Sequence, residues 1–266
     1  MDSRWRLWLY QGVPRLTHFC FITRWIAVVA VLLGAVAARA ANSCPADPPL
    51  PPLHLPHLRA ALAAGQEAII VALGSSSTEG ARASNPGRTY PAELQIALAE
   101  AMPNRQVAVI NRGIGGQDAP AEFARLEADV IAVRPQLVIW QVGANAALRE
   151  ADPATFRQLV GDGIRRLQQA GIDVVLMDNQ RSPRILASGD DVAFDGALAE
   201  LSRADGVGLF SRDRLMAAWE REGAAPAEFI AVDHLHHNDR GYLCVARALA
   251  EAILADVSPP GLSASR

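Results

Sequence analysis

The sequence predicts an α/β protein built on a parallel β-sheet, and two patterns carry that prediction. Short apolar segments, rich in Val and Ile, alternate along the chain with longer segments of helical periodicity. Polar turns that contain glycine or asparagine follow several of the apolar segments directly. Alternating strands and helices form right-handed crossovers between parallel strands. Strands that are apolar throughout must be covered by helices on both faces of the sheet.

Five segments have the composition of buried strands: residues 68–72, 107–110, 137–142, 172–177 and 207–210. Further segments have the periodicity of helices: residues 58–64, 90–101, 121–133, 155–170, 192–204, 215–221 and 241–255. Proline and glycine support these boundaries. Pro91 falls in the first turn of one helix, Pro135 closes another, and Gly171 ends a third.

The first 40 residues have the pattern of a secretory signal peptide. Arginines precede an apolar run over residues 26–38, and Ala38 and Ala40 form a small-x-small cleavage site. The run is shorter than the roughly 20 apolar residues that span a membrane. We therefore expect residues 1–40 to be removed on export, with an uncleaved N-terminal anchor as the alternative.

The rest of the chain is expected to hold one globular domain. Residues 41–56 are rich in proline and predict an extended lead-in. Residues 57–258 contain every predicted strand and helix and form the domain. Residues 259–266 are expected to be a disordered tail.

Charge and composition exclude several classes of function. Without residues 1–40 the chain has 20 Arg and 27 acidic residues, a net charge of −7, and no basic cluster. Such a chain is a poor partner for nucleic acid or anionic lipid. The sequence contains no Lys, so Schiff-base lysines, phosphate-loop lysines and Ser-Lys dyads are all excluded. An activated serine in this chain must use His as its base.

Two cysteines remain after the loss of Cys20 with the leader. Cys44 and Cys244 are too far apart in sequence for a zinc knuckle, and in an exported chain they predict one disulfide bond. The alternative is a free, buried Cys244 together with an exposed or lipid-modified Cys44.

Residues 73–80, Leu-Gly-Ser-Ser-Ser-Thr-Glu-Gly, are the stretch around which the rest is organised. A serine on a tight turn at the carboxyl end of a buried strand is where an α/β enzyme exposes a nucleophile. Ser76 stands two residues after Gly74 and four before Gly80. The alternative is a Ser/Thr-rich loop that caps the next helix.

Asp233-x-x-His236 supplies a base and a group to orient it. A carboxylate three residues before an imidazole can accept a hydrogen bond from Nδ1 and leave Nε2 free to take a proton from serine. Two alternatives remain at this point. One is a surface histidine cluster, and the other is a metal site that includes His234 and His237, although consecutive histidines suit tetrahedral zinc poorly.

Acyl transfer also needs donors for the developing oxyanion. The backbone N–H of Ser76 can provide one, the close-approaching backbone of Gly116 a second, and the side-chain amide of Asn145 a third. Each follows a predicted strand, so all three should meet at one edge of the sheet. Three further polar residues near strand ends are either possible substrate contacts or structural or solvent-facing side chains, and the second interpretation is favoured: Gln141, Asn179 and Gln180.

Four blocks in this order resemble those of the SGNH, or GDSL-type, hydrolases. The blocks are Gly-x-Ser at 74–76, Asn-x-x-x-x-Gly at 111–116, Gly-x-Asn at 143–145 and Asp-x-x-His at 233–236. The resemblance spans residues 68–255. It implies a flavodoxin-like, three-layer α/β/α sandwich with a five-stranded parallel sheet of order 2-1-3-4-5.

The same resemblance implies roles for the residues of the blocks. Ser76 is the nucleophile, Asp233 and His236 complete the triad, and Gly116 and Asn145 belong to the oxyanion hole. The family cleaves esters, including acyl lipids, short-chain acyl esters and acetylated sugars, without a metal or cofactor.

This chain departs from the family at four positions outside those roles. Ser75 replaces the usual acidic residue before the nucleophile, and Ala146 stands where Asp is frequent. His234 and His237 stand where Gly and Pro are frequent. These departures leave the preferred substrate open.

The sequence therefore predicts an exported serine esterase, periplasmic or secreted, that acts on a small-molecule or glycan ester. It predicts no cofactor, no metal, no nucleic-acid partner and no stable membrane span after cleavage of the leader. Three alternatives stay open. They are an acyltransferase or deacetylase acting on a cell-envelope glycan, an inactive binding module of the same fold, and a metal-dependent phosphoesterase built on residues 233–237.

Overall fold

A computed structural model describes residues 43–258 of the chain. The predicted signal peptide over residues 1–40 and the predicted tail over residues 259–266 lie outside the described residues. Within residues 43–258, no helix is both long and apolar enough to cross a membrane.

One parallel sheet of five strands forms the centre of the fold. The strands are β1 (Ala68–Gly74), β2 (Val107–Gly113), β3 (Leu137–Gln141), β4 (Asp173–Met177) and β5 (Gly208–Phe210). All neighbouring strands pair in parallel, and their order is 2-1-3-4-5. The predicted fold class and strand order are confirmed. The carboxyl ends of β1, β2 and β3 consequently lie side by side.

Eleven α-helices connect and flank the strands within the described part of the chain. They are α1 (Pro56–Ala63), α2 (Ser76–Glu79), α3 (Tyr90–Ala101), α4 (Ala119–Ala124), α5 (Leu126–Asp129), α6 (Ala144–Leu148), α7 (Pro153–Gln169), α8 (Pro183–Leu186), α9 (Asp191–Asp205), α10 (Arg212–Arg221) and α11 (Asp239–Val257). Single 3₁₀ turns occur at Pro86–Arg88, Ile131–Val133 and Pro226–Glu228.

Alternate residues of the strands face two separate hydrophobic layers. Ile70 and Ala72 of β1 belong to the layer formed with α1, α3, α10 and α11. Val71 and Leu73 belong to the opposite layer, formed with α4 to α7 and α9. This alternation follows from the period of two along a strand, and it produces the three-layer sandwich.

The largest difference from the predicted elements concerns residues 121–133. In place of one helix, the chain forms α4, α5 and a 3₁₀ turn, with a break at Arg125 (φ −106°, ψ 7°). The Arg125 guanidinium is committed elsewhere, because it donates to the carbonyl of Gly74 and to the side chains of Gln117 and Asp129. These long-range contacts outweigh the helical periodicity.

Residues 43–55 of the proline-rich lead-in form no helix or strand, but they are attached to the domain. Leu53 and Leu55 are buried in the hydrophobic layer of α11. Trp219 donates its indole N–H to Asp47 at 3.2 Å. Cys44 is bonded to Cys244 of α11, with the two Cα atoms 5.4 Å apart.

Candidate active site

Ser76 stands on a sharp turn between β1 and the short helix α2. The helix starts immediately after the strand and ends at Gly80, whose φ of 103° is in the left-handed region. A Cβ atom at Gly80 would lie 2.0 Å from Cγ2 of Thr89, so only glycine fits. The first hydrogen bonds of this helix run from the N–H groups of Thr78 and Glu79 to the carbonyl of Ser75. The N–H of Ser76, in the first turn of the helix, has no acceptor within the helix.

The three serines of this turn have different surroundings. The Ser76 hydroxyl is partly exposed, and its Oγ lies 2.8 Å from Nε2 of His236. Ser75 and Ser77 are buried and face other partners. Ser75 Oγ donates to Gln141 at 3.1 Å, and Ser77 Oγ is 3.5 Å from Oε1 of Gln180. Among the three hydroxyls, the one in contact with the imidazole is that of Ser76.

Asp233 orients the imidazole from the other side. Nδ1 of His236 lies 2.7 Å from Oδ2 of Asp233, and Oδ1 of the same carboxylate accepts the backbone N–H groups of Leu235 and His236, each at 3.1 Å. Because the carboxylate of Asp233 can only accept, the hydrogen of the neutral His236 ring lies on Nδ1. Nε2 therefore faces Ser76 with its lone pair.

A cation completes the surroundings of Asp233. Arg82 donates from Nε to Oδ2 at 2.8 Å, across 151 positions of sequence. Burial raises the pKa of Asp233, but the hydrogen bonds from His236, Arg82 and two backbone N–H groups outweigh burial and hold that pKa well below its usual range. Asp233 therefore remains ionised at any pH near neutrality. No motif in the sequence indicates this contact of Arg82.

The loop after β2 passes beside the serine. A Cβ atom built on Gly115 would lie 4.0 Å from Cβ of Ser76. Gly116 is exposed and has a φ of 77°. No atom lies within 4 Å of a Cβ atom built on it. Asn145, near the start of α6, donates its side-chain amide to the carbonyl of Gln117 at 2.6 Å. The structure thus brings Gly116 and Asn145 together on the side of Ser76 where β1, β2 and β3 end.

Two arginines that no sequence pattern indicated hold this loop in shape. Arg149 donates to the carbonyl of Gly116 at 2.7 Å and to the carboxylate of Asp118 at 2.9 Å. Arg125 donates to Oε1 of Gln117 at 2.6 Å. The conformation of the loop is therefore set by Arg149, directly after α6, and by Arg125 at the break between α4 and α5.

Of the two interpretations of Gln141, Asn179 and Gln180, the structure favours a structural role, because all three are only 1% exposed. Gln141 accepts hydrogen bonds from the serine turn. Gln180 donates to the carbonyl of Leu235 at 2.9 Å and lies 3.5 Å from the Ser77 hydroxyl. It therefore links the serine turn (residues 74–80) to the histidine loop (residues 233–237). The Asn179 side chain packs beside Gly143. These residues support the site from beneath.

The histidines that flank His236 do not form a cluster with it. His237 is fully buried and donates from Nδ1 to the carbonyl of Phe229 at 3.2 Å. Burial, together with nearby Arg212, lowers the pKa of His237 to about 3. His234 is exposed, on a left-handed backbone with φ 58°. In residues 43–258, no group of three or more His, Cys, Asp or Glu side chains is arranged to hold a metal ion.

Solved structures with the same fold include several ester hydrolases. A lipase/acylhydrolase from Enterococcus faecalis is 21% identical, with a TM-score of 0.60 over 72% of this chain and 98% of that one. The acetyl xylan esterase AlAXEase is 22% identical, with a TM-score of 0.58 over 71% of this chain and 100% of that one.

A two-domain esterase active on acetylated mannans is 23% identical, with a TM-score of 0.66. The match covers 78% of this chain and 55% of that protein, so this chain spans about half of its length. No curated protein sequence matches the chain.

A family model covers residues 43–259, well over half of the chain and all four sequence blocks. Together with the five-stranded parallel sheet of order 2-1-3-4-5, this match shows that the chain belongs to the Non-GDSL lipase-like family and has the fold of the SGNH hydrolases.

Proposed function

We propose that this protein is a serine esterase in which Ser76, His236 and Asp233 form the catalytic triad. Membership of a lipase-like family supports the general class, hydrolysis of carboxylic esters. The observation that carries the specific assignment is the continuous contact from Ser76 Oγ to His236 Nε2 at 2.8 Å and from His236 Nδ1 to Asp233 Oδ2 at 2.7 Å.

The chemistry follows from this arrangement. Nε2 of His236 takes the hydroxyl proton as Ser76 Oγ attacks the carbonyl carbon of the ester, and Asp233 stabilises the imidazolium that forms. The imidazolium then protonates the leaving alcohol as the carbon–oxygen bond to it breaks. Water attacks the acyl-enzyme with the same histidine as base, and the acid departs while Ser76 regains its proton.

The tetrahedral intermediates need donors for a negatively charged oxygen. We assign this role to the Ser76 N–H at the start of α2, to the N–H of Gly116 and to the amide of Asn145. The exposed, open position of Gly116 supports the assignment. The Asn145 bond to Gln117 uses one amide hydrogen and leaves the second for substrate.

We infer that the substrate is a small-molecule or glycan ester with a short acyl group. Two structures of the same fold are enzymes for acetylated mannans and acetyl xylan, which supports an acetylated carbohydrate as the first substrate to test. We also propose that the protein acts outside the cytoplasm. The signal-peptide pattern of residues 1–40 and the Cys44–Cys244 pair support this location.

The test uses the purified chain from Ala41 with nitrophenyl esters of increasing acyl length and with acetylated xylo- and manno-oligosaccharides. We expect Ser76→Ala to lower kcat by several orders of magnitude. Ser75→Ala should retain kcat within about tenfold, because its hydroxyl donates to Gln141 and does not contact His236. Addition of EDTA should leave the rate unchanged. Full activity of Ser76→Ala, or loss of activity on chelation with recovery on adding zinc, would contradict the proposal.

A further inference from the structure

Arg82 and His236 share one oxygen atom of Asp233. Nε of Arg82 lies 2.8 Å from Oδ2, and Nδ1 of His236 lies 2.7 Å from the same atom. The two nitrogen atoms are therefore no more than about 5.5 Å apart. With the two backbone N–H groups on Oδ1, the carboxylate has donors on both oxygens.

The backbone around Arg82 is held in place by the last helix, α11. Tyr242 donates its hydroxyl to the carbonyl of Ala81 at 2.7 Å. On the other side of Arg82, Ser84 donates its N–H and hydroxyl groups to the carboxylate of Asp239, at 2.8 and 2.6 Å.

Arg82 itself has a φ of 71°, an unfavourable conformation for a non-glycine residue that persists where surrounding contacts determine it. Its side chain is 56% exposed, so the fixed backbone at residues 81–84, and not burial, directs the guanidinium toward Asp233.

We propose that Arg82 is a positioning residue of the triad: it holds Asp233 against His236, and its fixed positive charge extends catalysis to lower pH. The inference rests on the proposed function. A guanidinium carries its charge at every pH of interest, so it opposes protonation of a nearby imidazole. Because the general base must be neutral, loss of this charge should move the acidic limb of the pH–rate profile to higher pH.

Other groups that face the Asp233–His236 pair do not produce this effect. Ser76 on α2 contacts His236, Tyr242 on α11 interacts with Asp233, and His237 interacts with His236. Glu79 on α2 and Arg212 at the start of α10 interact with Tyr242 and His237 in turn. Burial raises the pKa of Tyr242 and lowers that of His237, so both are neutral between pH 5 and 9. Arg212 is fully buried and donates to the carbonyl of Asp178, away from the triad. Arg82 is the cation bonded to Asp233 itself.

The experiment compares kcat/KM for nitrophenyl acetate against pH, from 5 to 9, in wild type, Arg82→Met and Arg82→Lys. In Arg82→Met we expect the midpoint of the acidic limb to move upward by about half a pH unit or more. We also expect the plateau kcat to fall roughly tenfold with little change in KM. Arg82→Lys should keep a midpoint close to wild type, because it restores the charge, while its plateau stays intermediate.

Arg166→Met is the matched control, because Arg166 forms an exposed ion pair with Glu127 on the opposite layer of the fold. It should leave the whole profile unchanged. A measurement without any variant adds to the test. At about 1 M salt the screening length is about 3 Å, so the wild-type midpoint should move toward that of Arg82→Met.

An unchanged midpoint in both Arg82→Met and high salt would overturn the inference, even if the variant were less stable. That outcome is separable from failure of the proposed function. If Ser76→Ala is inactive and Arg82→Met has the wild-type profile, the triad stands and the role of Arg82 falls. If Ser76→Ala is fully active, both fall.

Discussion

Oε1 of Gln141 accepts a hydrogen bond from the backbone N–H of Ser75 at 3.1 Å, which ties the end of β3 to the turn that carries Ser76. The same oxygen accepts from the hydroxyls of Ser75 and Thr78, each at 3.1 Å. Gly74 makes this approach possible, because a Cβ atom there would lie 2.8 Å from Oε1 of Gln141. One buried amide oxygen therefore organises the turn that presents Ser76.

Replacing Gln141 with Leu should damage both stability and activity. The substitution removes the acceptor of three donors in the interior, and a buried donor without a partner costs about 1–3 kcal/mol. We expect the free energy of unfolding to fall by about 2 kcal/mol or more, and kcat to fall at least about tenfold as the Ser76 turn loosens. Urea unfolding and steady-state kinetics measure the two effects.

Gln158→Leu, on the exposed side of α7, is the control, because it makes the same exchange of an amide for an apolar side chain outside the core. It should change neither quantity. Wild-type stability and kcat in Gln141→Leu would show that the turn holds its shape without this oxygen.

Most of the sheet and the contact between Asp233 and His236 could be predicted because their signals are local. The predicted strands are runs of four to six mostly apolar residues, and Asp233 and His236 lie on one turn. The four blocks also stand at the carboxyl ends of strands, and a parallel sheet places such ends together. These features need no knowledge of distant contacts.

The supporting residues could not be predicted, because their roles depend on contacts distant in sequence. Arg82 meets Asp233 across 151 positions, and Arg125 breaks a helical pattern to reach Gly74 across 51 positions. Gln141 and Gln180 gave a partial signal, since polar residues follow apolar strands there. That signal left a substrate contact and a structural role both open, and the contacts of their amides with buried backbone and hydroxyl groups favour the structural role.

Gly116→Ala should lower activity far more than stability. Gly116 and Gly189 both have a left-handed φ, 77° and 76°, and at both positions nothing lies within 4 Å of an added Cβ. The backbone strain of an alanine, about 1–2 kcal/mol, is therefore matched at the two sites. At Gly116, relief of that strain moves the N–H that we assign to the oxyanion, and we expect kcat to fall about 10²-fold.

Gly189→Ala supplies the comparison, because Gly189 lies before α9 and outside the site. This variant should lose as much thermal stability as Gly116→Ala. Its kcat should equal that of wild type. Equal kcat in the two variants would remove Gly116 from the oxyanion hole.

Glu122 should make the protein less stable as the pH rises. It is 1% exposed and accepts a hydrogen bond from Trp140 at 2.9 Å, and burial raises its pKa from 4.5 to about 8. A carboxyl group whose pKa is higher in the folded state makes its full contribution to stability at a pH below its pKa in the unfolded chain. That contribution is lost as the pH rises through its pKa in the folded state. Between pH 5 and 8 the loss is on the order of 3 kcal/mol.

Glu122→Gln keeps an oxygen for the Trp140 N–H and does not titrate. Its free energy of unfolding in urea should fall less between pH 5 and 8 than that of wild type, and at pH 8 the variant should be the more stable protein. Glu127→Gln, at an exposed position on α5, should keep the wild-type slope. Parallel slopes for wild type and Glu122→Gln would mean that the Glu122 carboxyl is ionised inside the fold.

The bond between Cys44 and Cys244 should contribute to the thermal stability of the protein. It closes a loop of 200 residues and attaches the lead-in to α11, the helix that begins three residues after His236. The chain-entropy model gives a loop of that length about 5 kcal/mol as an upper figure, and measured effects are usually 2–4 kcal/mol. Cys44→Ser should therefore lower the thermal midpoint of the chain from Ala41. Dithiothreitol should lower wild type to the same value and leave the variant unchanged, which separates the bond from any effect of the serine. Activity at 25 °C should persist in the variant, because Cys44 touches none of the triad. Two thiols open to alkylation in the non-reduced protein, or a thermal midpoint unaffected by dithiothreitol, would show that the two cysteines are not joined.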